Sequence, residues 1–96
     1  MEKIKTRLST IVGKNKFGDM LHFKGFDTTD PESLSTEELE RCMKWTPNFT
    51  EGQHFLAMKD ARAYAEQQYH RVFSQYNVEF YSAPAVIEFS IVECKY

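Results

Sequence analysis

The sequence predicts an α+β fold: a mainly antiparallel sheet of four to five strands, built as two hairpins, with two helices packed on one face. Three observations predict it. Residues 4–12 alternate with period two, the mark of a half-buried strand. Residues 58–76 carry apolar side chains at spacings of three and four, the mark of an amphipathic helix. The last third holds two β-rich runs, VEFYS and VIEFSIVEC. With 96 residues the chain is expected to form a single domain over 1–96.

Along the first strand, Ile4, Thr6, Leu8, Thr10 and Val12 share one side, and Lys5, Arg7, Ser9 and Ile11 the other. The first set is expected to face the core, which makes the outer face cationic. GKNKFGD (13–19) reads as a turn, rich in the residues that tolerate unusual backbone angles. MLHFKGF (20–26) closes a hairpin, with Leu21 and Phe23 inward and Met20, His22, Lys24 and Phe26 on the other side.

A helix is predicted from about Thr36 to Trp45. Ser35 and Glu38 have capping-box spacing, and Leu34 and Leu39 that of a hydrophobic staple. Pro47 ends it, because the residue before a proline avoids the α region. Leu39, Cys42 and Met43 form its inner stripe. Residues 51–57 read either as a helix starting at Glu51 or as a short edge strand over 53–57.

The helix over 58–76 presents Met58, Ala61, Ala65, Tyr69, Val72 and Tyr76 to the sheet. Its small alanines allow close approach. Asn77 breaks it. The strands 78–82 and 86–94 follow, with Ala83-Pro84-Ala85 as their turn, since proline cannot donate to a ladder.

Charge is unevenly distributed. Residues 1–26 carry six cations against two carboxylates; residues 27–52 carry seven carboxylates against two cations. Such polarity can orient a protein toward a charged partner.

The search for chemistry excludes more than it finds. Cys42, Cys94, His22, His54 and His70 lack the close spacing of a zinc site. No nucleophile elbow or phosphate-cradling loop is present. GKNKFG joins strand to strand, so no helix N-terminus backs it. Catalytic, metal and cofactor sites are not expected. No apolar run is long enough to span a membrane, and MEKIKTRLST lacks the apolar segment of a secretory signal. A cytoplasmic location with both cysteines reduced follows as the expectation.

The functional expectation is a non-enzymatic module that binds a protein, one with a basic surface, and occludes it. Asp30, Glu32, Glu37 and Glu40 would supply the field, and Trp45 and Phe49 the desolvated anchors. In size and lack of chemistry the chain resembles the small inhibitors that phages encode against host defence, anti-CRISPR proteins among them. Those proteins share no motif, so no residue role carries over. The alternative is a nucleic-acid-binding accessory protein using Lys5, Arg7, Lys16 and Lys24 of the basic hairpin. A pI near 5.9 argues against it.

Overall fold

The computed structural model describes residues 2–89. Four strands form one antiparallel sheet: β1 (Glu2–Lys14), β2 (Met20–Phe26), β3 (Met43–Thr46) and β4 (Glu79–Phe89), in the order β3-β2-β1-β4. The helices are α1 (Thr36–Cys42), α2 (Met58–Ala63) and α3 (His70–Phe73). The predicted α+β class holds, and β1 and β2 form the first hairpin, with Gly13 and Lys14, expected in its turn, paired to β2 instead.

Helix α1 starts where its cap dictates. The Ser35 hydroxyl accepts from the Glu38 amide at 3.2 Å, and the Glu38 carboxylate accepts from the Ser35 amide at 3.2 Å. It ends at Cys42, three residues short of the expected Trp45. Residues 43–46 instead pair with β2, Phe26 opposite Met43 and Phe23 opposite Trp45. Partnering a sheet edge satisfies more backbone groups than one further helical turn running into Pro47.

The core is Ile11 and Phe23 from the sheet, Leu39 and Met43, and Ala61, Ala65, Tyr69, Val72 and Phe73 from the second helical region. Phe23 is its hub, with Phe26, Trp45 and Phe73 rings edge-on at 5.1–5.5 Å. Ile11, expected outward, is on the helix side. Phe26 joins it there because β2 carries a bulge between Phe23 and Gly25, where Gly25 takes a φ of 129°. The extra residue moves the next side chain to the other face.

The predicted helix 58–76 is interrupted. Tyr64–Gln68 make a π turn, in which the Tyr69 amide donates to the Tyr64 carbonyl at 2.9 Å. The added residue advances the helical phase, so Phe73 turns inward beside Val72 while Tyr76 lies outside the helix and exposed. Ala61 and Ala65 are buried as expected.

The C-terminal hairpin is corrected too. β4 is one continuous strand that runs through Pro84, matched residue by residue to β1 from Val12–Glu79 to Glu2–Phe89. Proline is tolerated because β4 is an edge strand, where a missing N–H can face away from the ladder. Residues 90–94, the end of the expected last strand, and Cys94 lie outside the described residues.

β1 pairs with β2 only over Val12–Lys14. Below that point the two strands part, and residues 53–55 fill the gap. Ser9 and Phe55 exchange both backbone hydrogen bonds, at 2.8 and 2.9 Å, and the Gln53 amide donates to the Phe23 carbonyl at 2.8 Å. Residues 53–55 are therefore extended, held between strands rather than on an outer edge.

Candidate functional site

Sequence and fold together open a cleft at the end of the sheet. It measures about 590 Å³ and lies between the β1–β2 hairpin, β3 and the segment after α3. Trp45, Tyr76, Met20 and Leu21 supply its apolar lining; Asn77 and Glu79 are among its polar residues. Trp45 is half-buried on the helix side of β3, its ring edge-on to Phe23 at 5.5 Å. The far edge of that ring sits over Gly13 of β1, where a Cβ would touch two of its carbons at 3.4 Å.

Two exposed apolar side chains, Met20 and Tyr76, line this cleft. Phe17 at the hairpin tip is 78% exposed, Met20 42% and Tyr76 41%. Large rings left in water at one end of a small domain are the usual material of a contact surface. Tyr76 was expected in the core; the π turn is what released it.

Of the acidic residues expected to supply the field, Glu40 alone is linked to the cleft, through Tyr76. Helix α1 packs against α3. Glu40 is half-buried there, and after burial itself its charge is the second cause holding the Tyr76 hydroxyl above its usual range. Glu37 is exposed in the first turn of α1. Asp30 and Glu32 are exposed before it, Glu32 close enough to the Tyr69 hydroxyl to add to the upward shift that burial gives it. Lys44 and Asp27 pair loosely at 4.0 Å on the exposed surface.

Phe49, expected beside Trp45, is on the other face of the sheet. It follows β3 in a single 3₁₀ turn, Phe49–Glu51. There its ring meets His22 at 5.5 Å, Tyr81 at 5.6 Å and His54 at 4.9 Å. His22 and Tyr81 meet at 5.5 Å. These rings shield Thr10, which is fully buried. Thr46 and Asn48 donate to the Glu51 carboxylate at 2.9 and 3.3 Å and hold it below its ordinary range. The group is a small second core that fastens the loop after β3. No pairwise spacing in the sequence announces it, because its members come from three separate segments.

Arg7, Lys16 and Lys24 sit on different elements, each with its own neighbours. Arg7 reaches across to β4 and donates to Ser82 Oγ at 3.3 Å and to the Ser82 carbonyl at 3.1 Å. Lys16 is at the hairpin tip, 5.2 Å above the Phe17 ring. Lys24 stands in the β2 bulge, within range of the Glu51 charge. Lys5 pairs with Val86 along β4. Among the described residues, no three His, Cys, Asp or Glu side chains gather as metal ligands. Among them too, no helix is long and apolar enough to cross a membrane. The chain matches no family model, no curated protein and no solved structure.

Proposed function

We propose that the chain is a non-enzymatic protein-binding module that acts by covering a partner's surface. One observation carries the reading: the exposed Tyr76 ring and Met20 side chain line a cleft walled by Trp45. A desolvated aromatic centre with a charged rim is how compact interfaces concentrate their energy. Glu40 on α1 acts on Tyr76 at the cleft, and the stretch 27–52 carries a net charge of −5. The partner that fits is a protein with a basic surface, met in the cytoplasm. In kind this is the mode of the small phage-encoded inhibitors of host defence, the anti-CRISPR proteins included. The surface keeps Trp45 and leaves out Phe49, which serves the opposite face. The nucleic-acid reading is less favoured, because Arg7, Lys16 and Lys24 sit on different elements.

The test is capture of a partner from host cells by the tagged chain, run beside Tyr76→Ala. The variant should remain folded and lose the same captured protein. Undiminished capture would place the interface elsewhere. A shift assay with generic DNA and RNA, repeated across salt, addresses the alternative: a steep log–log slope would favour it.

A further inference from the structure

We infer that the cleft receives an arginine side chain, its guanidinium laid against the rings of Trp45 and Tyr76. The inference rests on the docking reading above and adds the chemistry of the guest. Met20 and Leu21 line the cleft along with the rings, an apolar wall that suits a long aliphatic stem. Asn77 and Glu79 bring acceptor oxygens to the same lining, which suits a head with five N–H donors and no acceptor. A carboxylate guest could pair with Lys14 but would meet Glu79 and the field of Glu40. Lysine carries a compact, strongly hydrated ammonium, whereas the planar guanidinium stacks on aromatic faces and keeps its hydrogen bonds. Lys14 also lines the cleft and is its one cation. Its charge opposes a cationic guest and so gives the test a sign.

Trp45 is the single tryptophan of the chain, so its fluorescence reads the cleft directly. The full chain is titrated with Nα-acetyl-arginine amide, and with the lysine and norleucine amides for comparison. The arginine amide should give a saturable change in emission, with weaker binding of the other two. Tyr76→Ala should weaken it about two- to thirtyfold, the range of a cation–π contact. Lys14→Gln should tighten it. Equal binding of the norleucine amide, or weakening by Lys14→Gln, would overturn the inference. Circular dichroism of each variant separates loss of binding from loss of fold. If no amide binds while Tyr76→Ala still abolishes partner capture, the arginine inference fails and the docking reading stands. If the arginine amide binds as described while capture ignores Tyr76→Ala, the guest chemistry stands and the docking reading fails.

Discussion

The Thr10 hydroxyl lies 2.7 Å from Nδ1 of His22, and both side chains are buried. With the neutral ring's proton on Nε2, the hydroxyl donates to Nδ1. Protonation makes Nδ1 a donor and puts a charge among Phe49, Tyr81 and Thr10, with the His54 ring near. Burial, and then the His54 charge, hold the His22 pKa below its ordinary 6.5.

The sign of the pH dependence follows. Below pH 6.5 the unfolded chain binds a proton at His22 that the folded chain resists. The stabilisation is complete above 6.5 and falls as the pH drops toward the lowered folded value. Melting temperatures should therefore decline between pH 7 and pH 5, and His22→Gln should flatten that decline. An unchanged slope in the variant would assign the effect to another group.

The helix on the sheet gives a second expectation. Ala65 lies in the π turn and is 2% exposed. Ala65→Glu would bury a carboxylate without a partner, at a cost of several kcal/mol, enough to unfold a domain of this size. Ala63→Glu, at a half-buried position, should be much milder. Thermal melts of the pair compare burial directly. Comparable melting of both variants would refute the packing.

The cap of α1 gives a third. Ser35→Ala should cost about 0.5–2 kcal/mol, read from denaturant midpoints. Glu38 is held below its ordinary 4.5 by its hydrogen bonds with Ser35. Its share of stability is present above 4.5 and lost as the pH falls further, so Glu38→Gln should lessen the acid sensitivity below 4.5. A stability change in Ser35→Ala of less than a few tenths of a kcal/mol would mean that the cap is dispensable.

This cap was legible in the sequence because its signal is local: four residues carry it. So were the β1–β2 hairpin and the stripe through Ala61 and Ala65. What the sequence hid is set by tertiary competition. Met43–Thr46 scores as the end of a helix until β2 offers an edge to pair with. Pro84 reads as a turn unless its strand is known to lie at an edge. The inner face of β1 was misassigned because alternation defines two faces without ranking them, and here Leu8, Thr10 and Val12 are buried on one side and Ile11 on the other. At the candidate site, Trp45 was singled out from the sequence, and it lines the cleft. Tyr76 could not be, since its exposure depends on a π turn that no residue pattern signals. Phe49 was paired with Trp45 by nearness in the chain, and the end of β3 separates them.

The binding surface gives the last prediction, to be measured with the captured partner. On the proposed reading Glu37 and Glu40 steer the partner, so their charges act mainly on encounter. Glu37→Lys with Glu40→Lys should slow association about tenfold at low salt and flatten its salt dependence. Tyr76 offers a large ring to the partner, and its truncation should act on dissociation instead. Tyr76→Ala should speed release about thirtyfold, the kinetic equivalent of a ~2 kcal/mol anchor. Trp45→Ala is a poorer probe, because the ring also packs on Phe23 and its loss destabilises the fold. Thermal melts must accompany each measurement for that reason. If charge reversal leaves association untouched in a folded protein, α1 is not part of the interface. If it slows association but Tyr76→Ala leaves dissociation unchanged, the acidic helix steers the partner to an anchor other than the cleft.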